Sequence, residues 1–237
     1  MRVLIDPGHA PGNANRGPTG YFEYAGMWKL SNFLKEILTA SGVHAQLTRQ
    51  QTQDPPLATR GSMARGFDLF ISQHSNGFNG TVQGSECFFS VRQPENRAIA
   101  ARFSADTARL MNHRDRGAKT KVGNGGLDFF GVIRSAVAAG CPRVFLMESG
   151  FHDNPIDEAF LLQDSNLRRL AEVQADIILD VLGAENVVSV APTETSSAAP
   201  TETPPAPNVT DTGIQLPSGA KTGARIPNKQ IKIPVTV

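Results

Sequence analysis

Cysteine is scarce: Cys87 and Cys141 are the two in 237 residues, too few for the disulfide framework of a small secreted domain. Both lie in apolar, strand-like surroundings, and a chain able to build a sizeable core needs no covalent staple. Free buried thiols are therefore expected, with a pair brought together by the fold as the alternative. No apolar run approaches the roughly 20 residues of a membrane span, so no spanning segment is expected. Charge of one sign is lacking too. Twenty-three basic residues against twenty-two acidic ones give a net charge of +1, and no basic stripe with interleaved aromatics appears, so nucleic acid is not an expected partner. Residues 1–25 read as a strand, a turn and a polar loop, not as a charged, then apolar, then small-residue leader. On that reading the chain is made in the cytoplasm without a signal peptide.

What is present is 40% hydrophobic and 19% charged sequence, enough for one sizeable core and a small appendage. Val3, Leu4 and Ile5 form an apolar β-forming run that Asp6-Pro7-Gly8 closes, so His9 stands at the mouth of a buried strand. After a Gly/Asn/Pro loop, Glu23 opens a helix in which Met27, Leu30, Leu34, Ile37 and Leu38 recur at helical steps up to Gly42. Residues 43–48 read as a strand and 57–66 as a short helix with Arg60 and Arg65 on its wet side, unless a carboxylate anchors either. Residues 68–73 read as a strand delivering His74-Ser75-Asn76 to a loop. A further strand at 84–90 is expected beside it, followed by a long helix over 94–112 and a charged loop, 113–119, from which Arg116 or Lys119 can line a groove. Strands at 127–134 and 143–147 follow, the latter delivering Glu148, and two helices over 156–182 end at Gly183.

Strands alternating with helices through residues 1–183 predict a three-layer α/β domain, with a largely parallel twisted sheet and helices on both faces. Residues 184–212 are Pro/Thr/Ser-rich without a periodic apolar face and read as a linker. Residues 213–237 carry Lys221, Arg225, Lys229 and Lys232 and no acid. Such a short basic tail suits a cell-wall anchor or the remnant of one, and does not make an independent domain.

Two histidines and a glutamate, His9, His74 and Glu23, reach loops or helix starts from structured elements. That set with an open fourth position suits catalytic zinc. The steps of 14 and 51 residues between them match no compact zinc motif. Asp6-Pro7-Gly8-His9, Glu23 at a helix start, Ser72-Gln73-His74-Ser75-Asn76, Arg116-Gly117-Ala118-Lys119, and Glu148-Ser149-Gly150-Phe151 before Asn154 together resemble the zinc-dependent N-acetylmuramoyl-L-alanine amidases of the AmiC/CwlV-like type. The resemblance spans nearly all of residues 1–183. Ala10 departs from it, standing where a second glycine is common.

The resemblance implies one zinc ion on His9, Glu23 and His74, and Glu148 as the catalytic acid and base on zinc-activated water. Asn76 and Arg116 are candidate oxyanion or substrate donors. The implied substrate is peptidoglycan, cut between the lactyl group of N-acetylmuramic acid and L-alanine. Anionic wall polymers are implied partners of the tail, and the oligomeric state is left open. The layout suggests a phage endolysin or related bacterial lysin that acts on the cell wall after release. The rival readings are a zinc carboxypeptidase or deacetylase of wall fragments, and a wall-binding protein with a degenerate site. If Glu148 is not the base, His113, His152 or Asp153 takes its place.

Overall fold

The computed structural model describes residues 1–183; the expected linker at 184–212 and tail at 213–237 lie outside the described residues. Six strands form one sheet in the order β2-β1-β3-β6-β4-β5. In chain order they are β1 (Arg2–Pro7), β2 (His44–Leu47), β3 (Leu69–Asn76), β4 (Ser85–Phe89), β5 (Asp115–Lys119) and β6 (Val144–Phe151). The helices are α1 (Glu23–Ala40), α2 (Leu57–Ser62), α3 (Arg97–Met111), α4 (Gly131–Ala138), α5 (Pro155–Leu161) and α6 (Asp164–Leu182). The pairs β1–β2, β1–β3, β3–β6 and β4–β5 are parallel, and β4 runs antiparallel to β6. No described helix is long and apolar enough to cross a membrane.

The period of two along each strand sorts side chains into two cores. Val3, Ile5, Leu69, Ile71, Phe145 and Met147 face α1, α3 and α6. Leu4, Phe70, Val144 and Leu146 point the other way, toward Ala64 below α2 and Val132, Ile133 and Ala136 of α4. A sheet buried on both faces needs strands that are apolar almost throughout, and all eight residues of β6 are buried. The amphipathic helices meet it through Met27, Leu30, Leu34 and Leu38 on α1 and Leu167, Leu170, Ala171 and Ile178 on α6. Gly183 ends α6 in the left-handed conformation that favours glycine, φ 66°. The result is the expected three-layer α/β domain. Cys87 and Cys141 are both buried and unpaired.

Four local expectations are corrected. The strand at 84–90 lies between β6 and β5, not beside β3, because the fully buried β6 takes the central place next to β3. Residues 115–119 form edge strand β5, and no loop; the charges that conceal it in sequence are tolerated where one side of a strand faces water. Residues 127–134 form no strand. Leu127 and Phe129 are exposed and α4 starts at Gly131, with Val132, Ile133 and Ala136 one helical face. Arg60 leaves the wet side for the alternative of a carboxylate anchor, 1% exposed and paired with Asp6 and Asp54, while Arg65 stays in water.

The fan of five N–H donors in a guanidinium explains the burial of Arg60. It donates to Asp6 Oδ1 at 3.5 Å, Asp54 Oδ1 at 2.8 Å, and the carbonyls of Pro55, Pro7 and His9 at 2.9, 3.1 and 3.1 Å. Asp6, 1% exposed, is completed by the hydroxyls of Thr48 and Ser72. Removing one partner of a buried pair leaves the other charge uncompensated. Arg60→Met is therefore expected to lower the free energy of unfolding by about 3–5 kcal/mol, read from the urea midpoint; Arg65→Met should leave that midpoint in place.

Candidate active site

Gly8 leaves β1 so close to β3 that a Cβ on it would lie 2.3 Å from Gln73 O and 2.6 Å from His74 Cε1. Only glycine allows that approach, which the Gly8 N–H to Gln73 O bond of 2.9 Å closes. His9 follows with φ 55°, in the left-handed region that costs a non-glycine residue about 1–2 kcal/mol. Arg60 donates to its carbonyl there.

Glu23, in the first turn of α1 and 1% exposed, is the centre of the group. Its Oε2 lies 3.1 Å from His9 Nε2 and accepts from Asn15 Nδ2 at 2.8 Å. Its Oε1 lies 3.1 Å from His74 Nδ1 and accepts the Ser75 N–H at 3.0 Å. Burial favours the neutral acid, but hydrogen bonds and charge from His74 and His9 outweigh it and hold the carboxyl well below its usual range. The two imidazoles meet edge to face with centroids 5.0 Å apart. One donor atom from each of His9, Glu23 and His74 lies within 4.8 Å of the others. Two ring nitrogens and a carboxylate converging this way fit a divalent metal. The other nitrogen of His74 lies 3.2 Å from Ser72 Oγ, which in turn donates to Asp6 at 2.6 Å. That chain orients the ring as outer partners of metal-binding histidines do.

Glu148 stands at mid-strand in β6, directly paired with His74 of β3, before a bulge between His74 and Asn76. Both strands thus run on past the points where the sequence suggests loops, to Asn76 and Phe151. Glu148 is buried and its Oε2 has no hydrogen-bond partner. Burial above all, then the carboxylates of Glu23 and Glu86, push its proton affinity up, against an opposing effect of His9. Two clefts, of about 660 and 420 Å³, share His9, His74 and Glu148 as lining.

Of the remaining sequence candidates, Asn76, His152 and Asp153 line the smaller cleft, whereas Arg116 and His113 line neither. Asn76 lines the smaller cleft but spends its Nδ2 on Glu86 Oε1 at 3.1 Å. Arg116 lies over the Phe151 ring and binds Glu86 Oε2 with Lys119, and neither cation lines either cleft. Glu86, cross-strand partner of Glu148, is the residue that the sequence reading missed. Its signal was a lone carboxylate in the buried strand sequence SECFF. His113 joins Ser85 Oγ at 2.7 Å and Asp157 Oδ1 at 2.9 Å, a Ser-His-Asp chain so buried that it ties β4 to α5 instead of meeting a substrate. His152 Nδ1 donates to Ser75 O at 2.8 Å, and Asp153 Oδ2 accepts the N–H groups of Phe78 and Gly80.

Fold and site define an α/β domain in which two histidines and a carboxylate that could hold a metal ion converge beside a buried glutamate. The chain belongs to the N-acetylmuramoyl-L-alanine amidase family, whose model matches residues 3–180. An uncharacterized cell wall amidase of Bacillus anthracis is 28% identical over 197 residues, covering 75% of this chain and 35% of the relative. The chain thus spans about a third of that relative's length. Among solved structures, the catalytic domain of CwlV from Bacillus (Paenibacillus) polymyxa var. colistinus superposes with a TM-score of 0.66 at 24% identity, over 78% of this chain and 99% of that one. AmiC2 of Nostoc punctiforme gives 0.67 at 24% identity, over 77% and 97%. Cwp6 from Clostridium difficile gives 0.70 at 24% identity, over 76% of this chain and 29% of its own.

Removal of one imidazole should empty the metal group. His74→Ala is expected to hold metal well below one ion per chain by plasma mass spectrometry, whereas His44→Ala, at an exposed position on β2, should match the parent. Equal metal in both variants would remove His74 from the ligand set.

Proposed function

We propose that this domain hydrolyses the amide between the lactyl group of N-acetylmuramic acid and L-alanine in peptidoglycan, with one zinc ion on His9, Glu23 and His74. The observation that carries the reading is the buried, unpartnered Oε2 of Glu148 beside the three converging donors. When bound, zinc supplies a Lewis acid that polarises the amide carbonyl and makes water more acidic. Glu148 takes the proton of the attacking water on its carboxylate and returns it to the departing alanine amine, and its raised proton affinity suits both halves of that cycle. Ser72 and Asp6 hold the His74 ring in place, while Asn15 and the Ser75 N–H do the same for Glu23. Of the two expected oxyanion donors, Asn76 lines the cleft and is the one this reading keeps, through the Nδ2 hydrogen not given to Glu86; Arg116 acts on the site through Glu86.

The zinc carboxypeptidase reading loses support on one point. Such an enzyme needs a free cation for the terminal carboxylate, and the two candidates, Arg116 and Lys119, are both spent on Glu86. On purified cell walls, the amidase reading expects new L-alanine amino termini and no free D-alanine. Release of D-alanine alone would overturn it.

Glu148→Gln keeps shape and hydrogen bonding but cannot accept the proton. Turnover of a defined muropeptide should fall about 100-fold or more, with zinc content and Tm unchanged. A variant that keeps most of its turnover would take Glu148 out of the mechanism.

We assign residues 1–183 as the catalytic part, acting on the bacterial wall after release, and 184–237 as linker and wall-anchoring tail. Every described strand and helix lies within 1–183. A chain ending at Gly183 should retain turnover on small muropeptides and bind whole walls less tightly than the full chain at low salt, with the difference shrinking at high salt. Equal wall binding by the two chains at both salt levels would exclude anchoring.

A further inference from the structure

The two clefts that meet at His9, His74 and Glu148 differ in chemistry. The larger is mixed, with an apolar wall of Leu57, Phe130, Val132 and Leu146 beside Asn13, Asp54 and Arg60. The smaller is polar, with Asn15, Asn76, His152 and Asp153 around the metal group, and its one large apolar side chain is Phe78. That ring is 75% exposed, the most exposed of the large hydrophobic side chains among the described residues. A lone exposed apolar side chain needs no explanation in general. This one stands at the mouth of the site on a loop that its own backbone ties down. The Phe78 and Gly80 N–H groups both donate to Asp153 Oδ2, at 2.8 and 3.0 Å. On either side, Gly77 N–H donates to Asn76 Oδ1 at 2.9 Å and Thr81 N–H to Asn79 Oδ1 at 3.1 Å. The ring is therefore presented to solvent by fixed bonds to the turn between β6 and α5.

An aromatic face beside amide and imidazole groups suits a pyranose ring. The sugar offers a patch of C–H bonds on one face, which stacks on the aromatic surface, and an edge of hydroxyl and acetamido groups, which take the polar contacts. A bond joining a sugar acid to a peptide has two unlike halves, and here two unlike clefts flank the reacting groups. We propose, resting on the amidase reading above, that Phe78 is a specificity-determining platform for the N-acetylmuramoyl sugar in the polar cleft. The stem peptide then enters the larger cleft, where the Leu57 side receives the alanine methyl group and the chain beyond it.

The test uses the full chain and its zinc, with each half of the substrate as a separate probe: N-acetylmuramic acid and the dipeptide L-alanyl-D-isoglutamine. Binding is followed by saturation-transfer NMR and by inhibition of muropeptide hydrolysis. Phe78→Ala should weaken N-acetylmuramic acid by about 5–10-fold, the scale of one aromatic contact, and raise KM for the muropeptide to match with kcat unchanged. Dipeptide affinity should not move, and Phe78→Trp should restore sugar binding. Leu57→Ala should show the reverse pattern, weakening the dipeptide and sparing the sugar. Both positions are exposed, so Tm checks that neither variant misfolds. If Phe78→Ala weakens the dipeptide instead, or neither probe responds, the assignment is overturned. Because NMR reads sugar binding without turnover, a parent chain that binds the sugar but leaves the amide intact would sink the amidase reading and spare the platform.

Discussion

The buried carboxylate of Glu23 is the interaction on which the rest of the site depends. A charge this deeply buried costs several kcal/mol unless polar partners surround it, and each partner here comes from a different element. His9 comes from the end of β1, Asn15 from the following loop, His74 and the Ser75 N–H from β3. The positive end of α1 adds to them. Satisfying one acid thereby fixes the distance between β1, β3 and α1 at the place where the two imidazoles converge.

Other buried acids do comparable work on backbone. Asp6 joins β1 to β3, to Thr48 and to Arg60. Glu158, in the first turn of α5, accepts the N–H groups of Thr19 and Tyr21 and so pins the loop that carries Asn15. Gly17 passes against it where a Cβ would come within 2.2 Å of Glu158 Oε1. Asp157 holds the N–H of Phe151 at 2.9 Å together with His113. Each of these carboxylates is spent on the fold. Glu148 differs because Oε2 is buried without a donor, and its neighbours Glu23 and Glu86 make it hold a proton more strongly. A carboxylate left in that condition makes no structural bond through Oε2, which is the condition the proposed proton transfer requires.

The misread segments share a cause. Residues 115–119 are charged and still form a strand because an edge needs only one pairing partner, and β4 supplies it. Residues 127–134 are apolar without forming a strand because Val132, Ile133 and Ala136 bury one side of a helix against the second face of the sheet. Arg60 reads as a surface residue because its partners Asp6, Asp54 and three carbonyls lie 5 to 54 residues away in the chain. In each case local composition competed with a distant partner, and the partner decided.

The amino-acid sequence by itself determined the alternation of strands and helices, the two-sided apolar character of β1, β3 and β6, and which residue types stand where those strands pass His9, His74 and Glu148. Those features are local, set by side-chain period, turn residues and helix signals. Strand order, the antiparallel β4, the pairing of His74 with Glu148 and the place of Glu86 against Arg116 and Lys119 were decided by tertiary structure alone. They depend on which buried polar group reaches which partner across the sheet, and that is a matter of distance in space, which spacing along the chain does not encode.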